Sequence, residues 1–151
     1  VRGRRGLRPY LLDVNVLLAL HWPGHDSHRA AMEWFEREGE KSFALCPMTE
    51  AGFIRILTNV AFTGKKVEML EAKAALGRLG QIKGYRFWPM TRGFLEAVQP
   101  LEPRFYSHQQ VTDACLLGLA IERKGSLATL DRAIRHLAGS EFMQHVTLID
   151  R

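Results

Sequence analysis

Short apolar runs without polar alternation recur along this chain, and longer stretches of helical period lie between them. The runs at 10–12, 43–46, 86–88, 127–130 and 146–149 are too short for helices and read as strands. A strand covered on both faces shows no alternation, because neither set of its side chains meets water. The segments between follow the other period. Asn15 can cap a helix carried by residues 16–20, and Pro23 and Gly24 break it. Ser27 opens an amphipathic helix to about Glu38, with Ala31, Trp34 and Phe35 on one face. Thr49 can cap a helix to about Val60 whose stripe is Phe53, Ile54 and Leu57. A turn at residues 64–66 precedes a helix over 67–79, and 93–98 is a short helix ended by Pro100. The stretch 111–124 is the most apolar helix, without a charge between Ala114 and Ile121, and Gly125 terminates it. A helix apolar on all sides is normally buried.

Strands alternating with helices predict an α/β domain with a short central parallel sheet between two helical layers. No repeat, low-complexity tract or long linker divides the chain, so residues 1–151 read as a single domain. Residues 1–8 form a basic N-terminal extension or an expression remnant. In open parallel sheets, ligands bind outside the carboxyl ends of the strands, so the residues that follow strands carry the functional question.

Four acids stand at such places: Asp13, Glu50, Asp113 and Asp131. Asp13 and Asp131 follow strands. Glu50 and Asp113 fall in the first turns of helices, and each heads an apolar stripe. Singly, each has an ordinary explanation. Helix N-termini favour negative charge, Asp13 can bond to the turn after its strand, and Asp131 can cap a helix over 132–137. Together they point to a shared partner, because an unpaired buried carboxylate is costly and oxygen ligands suit a hard divalent cation. Asn15 and Thr129, each two residues from one of these acids, can orient a ligand carboxylate or a water.

Composition narrows the chemistry further. A net charge of +5 and a pI near 9.6 favour a polyanion as partner, all the more because the acids are gathered at the site. Cys46 and Cys115 are far apart and have no zinc-ligand spacing, so they read as buried free thiols of a reducing cytoplasm. No apolar stretch approaches the roughly 20 residues that span a bilayer, and no secretory signal is evident. His21, His25 and His28 read as a polar surface loop rather than ligands. No Gly-rich phosphate cradle or nucleophile elbow exists.

At this point the residues resemble the PIN-domain family, and within it the VapC-type toxins of prokaryotic toxin–antitoxin pairs. The matching segments are LLDVNVLLAL at 11–20, TEAGFIRILTN at 49–59, TDACLLGLAIERKGSLATLD at 112–131 and the closing VTLID. Arg55 and Asn59 also fit, whereas 65–110 matches only in helical character. The resemblance implies a three-layer α/β/α fold and a Mg²⁺- or Mn²⁺-dependent endoribonuclease acting on tRNA or ribosomal RNA. It also implies a homodimer and a VapB-type antitoxin. Asp13, Asp113, Asp131 and Glu50 would surround the metal, with Glu50 acting as a ligand or orienting a water. Arg92, Arg104 and Arg132 are candidates to hold the RNA backbone. Attack by water would leave a 5′-phosphate and a 3′-hydroxyl. Two rival readings are a non-catalytic RNA-binding module and a DNA-directed nuclease of related fold. The helix expected over 67–79 carries two apolar seams, Val67, Leu70, Ala74, Gly77 and Met69, Ala72, Leu76, Leu79. One seam can face the core, and the other is expected at a protein interface.

Overall fold

Residues 8–149 are described in the computed structural model. The basic N-terminal extension therefore lies, apart from Arg8, outside the described residues. Five strands pair in parallel in the order β3-β2-β1-β4-β5: β1 (Tyr10–Leu12), β2 (Phe43–Leu45), β3 (Tyr85–Phe87), β4 (Ser126–Thr129) and β5 (Val146–Leu148). Successive side chains in a strand point to opposite faces. Leu11, Ala44 and Leu127 accordingly enter one apolar cluster, and Leu12, Phe43, Leu45 and Ala128 enter the other. The second cluster is completed by α1 (Val14–His21), α2 (His28–Arg37), α3 (Pro47–Leu57) and α5 (Met69–Leu79), with α4 (Val60–Thr63) following α3. The first is completed by α6 (Phe94–Val98), α7 (Val111–Glu122) and α8 (Ile134–Phe142). The three-layer α/β/α arrangement is thus the expected one, and α7 is its most deeply buried helix, with every residue from Ala114 to Ala120 buried.

Several boundaries differ from the sequence expectation, each for a local reason. Asp13, not Asn15, caps α1: its carboxylate accepts from the Val14 N–H at 2.7 Å. Helix α3 begins at Pro47, two residues before Thr49. Proline has no N–H to lose at a first helical position, and the Thr49 hydroxyl reaches back to the Cys46 N–H at 3.0 Å. Val67 is buried but precedes α5, which begins at Met69. At the end of α7 it is Lys124, with φ 55°, that takes the left-handed conformation. Gly125 serves a different need: a Cβ there would lie 2.6 Å from the Pro9 carbonyl oxygen.

Neither expected seam stays together: Val67 is buried while Leu70 is exposed, and Met69 is exposed while Ala72, Leu76 and Leu79 face the core. Ala72 and Ala75 are buried, and Leu76 and Leu79 pack against the core. Leu70 is 77% exposed and Met69 53%, while Ala74 and Gly77 are exposed beside them.

Candidate functional site

The strand order turns about β1. The chain runs from β1 outward to β2 and β3, then crosses back to place β4 on the other side of β1. Crevices at such switch points are where parallel sheets bind ligands. Leu12 pairs with Ala128, so Asp13 and Thr129 leave the sheet side by side. The Asp13 N–H continues the ladder to the Ala128 carbonyl at 3.0 Å.

Side chains then stitch the two strand ends together. The Thr129 hydroxyl donates to Asp13 Oδ2 at 2.7 Å. Thr129 Oγ1 in turn accepts from Asn15 Nδ2 at 3.2 Å and from the Asp131 N–H at 3.1 Å. Asn15 Oδ1 accepts from the Leu130 N–H at 3.2 Å. Asn15 and Thr129 thus hold Asp13 and the backbone of Asp131 in one network, and every hydrogen-bonding position of the Thr129 hydroxyl is occupied. Asp131 itself accepts from the Ala133 N–H at 2.9 Å, but that bond closes a turn: α8 begins only at Ile134, with Ala133 in the N-cap position, so the expected cap of a helix over 132–137 is not formed.

Asp113 enters from α7. Burial lifts its carboxyl from the usual 3.8 to about 6, and the charges of Asp13 and Asp131 add to that shift. Asp13 is only 7% exposed. Burial raises its pKa, the bonds from Thr129 and Val14 work against that, and the Asp131 charge raises it further. Three of the four expected acids therefore act on one another. Glu50 does not join them in this way: burial alone raises its pKa, and the group it perturbs is Tyr85.

The donors are all oxygen, and among the described residues no salt bridge reaches Asp13, Asp113 or Asp131. That chemistry fits a hard divalent cation. Each Asp13 oxygen accepts one hydrogen bond and keeps a lone pair for ligation. The spacing is more open than the chemistry: among the described residues, no three His, Cys, Asp or Glu side chains already form a metal-binding group.

Two hollows flank Asp131. One, of about 600 Å³, is bounded by Asn15, His25, Leu130, Asp131 and Arg132. The other, of about 620 Å³, contains Asp113 and Asp131 together with Tyr106, Gln109 and His136. Of the three arginines considered from sequence, only Arg132 borders one of these hollows. Arg92 is paired with Glu96 at 3.5 Å and Glu122 at 3.6 Å. Arg104 is built into the fold: its Nε donates to the Leu137 carbonyl at 2.9 Å, and its guanidinium lies 5.9 Å from the centre of the Phe142 ring.

His25 was read as a plain loop residue with no acid near it. The structure corrects this, since His25 borders the same hollow as Asp131. Its Nδ1 accepts from the Ser27 N–H at 3.0 Å, which leaves Nε2 as the donor in the neutral ring. No spacing in the sequence signals this approach; it follows from how the loop after α1 folds back. Tyr106 and Gln109 were missed for another reason: they lie in the stretch whose only legible feature was helical character. The apolar hollow between α1, α2 and α5, about 210 Å³, is bounded by residues such as Leu17, Phe35 and Ile82 and contains none of the four acids.

The PIN domain family model matches residues 10–140. Ribonuclease VapC39 of Mycobacterium tuberculosis is 34% identical over 134 residues, 89% of this chain and 96% of the relative. Ribonuclease VapC38 of the same organism is 38% identical over 128 residues, 85% of this chain and 89% of the relative. Among solved structures, FitAcB from Neisseria gonorrhoeae is similar with a TM-score of 0.59 at 17% identity, over 93% of this chain and 96% of that one. PAE2754 from Pyrobaculum aerophilum gives 0.55 at 20% identity, over 87% and 80%. At those identities the structural likeness is one of fold. The sequence matches carry the assignment: the chain belongs to the PIN-domain family, and within it to the VapC-type toxin family.

Proposed function

We propose that the chain is a Mg²⁺- or Mn²⁺-dependent endoribonuclease that cleaves structured RNA, tRNA or ribosomal RNA, and is held in check by a VapB-type antitoxin. The observation that carries this reading is the set of three mutually repelling carboxylates, Asp13, Asp113 and Asp131, at the switch point of the sheet. Relatives named as ribonucleases support the reaction class. Asp13, Asp113 and Asp131 would hold the cation, with Glu50 completing the set from α3. When bound, such an ion neutralises phosphate charge and lowers the pKa of a coordinated water.

The chain's own residues do the rest. Thr129 and Asn15 fix the direction of the Asp13 carboxylate. Arg132 and the Nε2–H of His25 face the hollow beside Asp131 and suit phosphate oxygens. Water as the nucleophile gives 5′-phosphate and 3′-hydroxyl ends. A homodimer is part of the same proposal, supported by the exposed side chains of Met69 and Leu70 at the start of α5.

The test is cleavage of tRNA, ribosomal RNA fragments and single-stranded DNA with Mg²⁺, Mn²⁺ or chelator, with the new ends mapped. Metal-dependent RNA cuts bearing 5′-phosphates are expected. Binding without cleavage would favour the RNA-binding module, preferred cutting of DNA the DNA-directed nuclease, and full activity in chelator would remove the metal from the reading.

A further inference from the structure

The two hollows that meet at Asp131 differ in the chemistry of their walls. On the side of Asn15, His25 and Arg132 the lining offers N–H donors and a guanidinium, which suits anionic oxygens. On the other side, Asp113 and Asp131 share the hollow with Tyr106, Gln109 and His136, and no lysine or arginine belongs to its lining. With the two carboxylates given to the cation of the proposed reaction, the rest of that wall offers a ring, an amide and an imidazole. Those groups suit an uncharged, flat partner better than a second phosphate.

Tyr106 is 85% exposed and is the most open of the large apolar side chains. It takes part in none of the ring pairs of the fold among the described residues. The backbone beneath it is nonetheless fixed. Gln110 Oε1 accepts from the N–H groups of Tyr106 and Ser107 at 3.0 and 3.1 Å. Gln110 Nε2 donates to the Arg104 carbonyl at 3.1 Å, and Ser107 Oγ accepts from the Gln109 N–H at 3.2 Å. The 3₁₀ turn His108–Gln110 then runs directly into α7, whose first turn carries Asp113. An aromatic ring is thus held open to solvent by a pinned loop that leads into the helix carrying a site acid. The Gln110 amide is consumed in holding it. The Gln109 amide makes no side-chain hydrogen bond among the described residues and borders the same hollow.

We propose that this hollow is a nucleobase subsite, in which an unpaired base next to the scissile phosphate stacks on Tyr106 and meets the Gln109 amide along its polar edge. The proposal rests on the ribonuclease reading above and adds to it a substrate requirement: the base flanking the cut must be unstacked from its RNA neighbours. Proteins commonly recognise RNA through splayed bases laid on aromatic rings. With phosphate favoured on the His25 and Arg132 side and a base on the Tyr106 side, the strand would cross the chain at Asp131.

The test uses the full chain and an RNA oligonucleotide that it cleaves, with abasic sites placed in turn on either side of the cut. Tyr106→Ala should raise KM about tenfold while kcat stays within about twofold, the loss expected for one stacked base. Tyr106→Phe and Tyr106→Trp should restore KM. An abasic site at the stacked nucleotide should erase the difference between wild type and Tyr106→Ala, and abasic sites elsewhere should preserve it. An unchanged KM, or a difference that no abasic site removes, would overturn the subsite. A change in sedimentation without a change in RNA affinity would overturn it too, assigning Tyr106 to contact between copies of the chain. RNA binding in chelator, followed by anisotropy, separates the two readings. If wild type cuts no RNA yet its binding weakens on Tyr106→Ala, stacking stands and hydrolysis falls. If there is neither cleavage nor Tyr106-dependent binding, both fall.

Discussion

Replacing Asp113 by Asn should make the metal-free protein more stable at neutral pH, although the residue lies in the first turn of the most deeply buried helix. The magnitude follows from the charge environment. Its carboxyl is lifted from 3.8 to about 6, by burial first and then by Asp13 and Asp131. A change of that size corresponds to roughly 3 kcal/mol. The group remains partly open to water, so screening reduces this to about 1–2 kcal/mol. The sign is fixed by linkage. The folded state holds the proton more tightly than the unfolded chain, so stability is greatest below about pH 4, falls as pH rises towards 6, and stays reduced above it. Asn carries no charge and escapes that loss, and it also relieves Asp13 of a like charge. Thermal unfolding in chelator should therefore give a melting temperature about 2–8 °C higher for Asp113→Asn than for wild type at pH 7.5. At pH 4 the two should converge. Added Mg²⁺ or Mn²⁺ should reverse the order, because wild type gains roughly 2.7 kcal/mol at a metal concentration about 100 times its Kd and the variant gains less. A lower melting temperature for Asp113→Asn in chelator at pH 7.5 would show that Asp113 is structurally required and that the repulsion argument fails.

Asp13→Asn should behave in the opposite way and lose about 1–2 kcal/mol in urea unfolding. An Asn amide facing Thr129 would bring a third donor to a hydroxyl that already accepts from Asn15 and Asp131; equal or greater stability would contradict this network. Gly118→Ala should cost about 2 kcal/mol by the same measurement, since a Cβ there would lie 2.2 Å from the Ala97 carbonyl oxygen and force α7 away from α6. Leu70→Glu should weaken self-association in sedimentation while changing monomer stability by under about 0.5 kcal/mol; an unchanged sedimentation profile would free the start of α5 of that role. Leu76→Glu should instead destabilise the fold, because Leu76 packs against the core.

Layer architecture was legible because period and burial agree. Runs such as Leu11 and Leu12 supply both faces of one strand, and a helix without charges from Ala114 to Ile121 has nowhere to lie but inside. Helix starts were less legible, since several residues competed for each cap. Asn15 and Thr49 both have cap chemistry, but the backbone had turned into the helix before either was reached, at Asp13 and at Cys46. The exposed part of α5 was only partly legible, Met69 as expected but not Leu76 or Leu79, because periodicity separates two faces without saying which of them packs on the core. Packing decided it: small Ala72 and Ala75 allow the helix to approach closely, and Leu70 is left outside.

The candidate site divides along the same line. That Asp13 and Asp131 end neighbouring strands can be read from the runs before them. Their coupling through Thr129 requires the register of β1 against β4, which no local pattern contains. The same register gives Asp13 two tasks that pull apart. As a cap and a hydrogen-bond acceptor it must be ionised and held still; as one of three facing carboxylates it raises the cost of that ionisation. Val14 and Thr129 offset part of that cost with bonds of 2.7 Å each, and Asp113, which the structure gives no such donors, shows the larger consequence by rising to about 6. Capping alone would need one acid at this strand end. The charges of Asp113 and Asp131 add repulsion that no capping role requires, and that excess is what the proposed cation would offset.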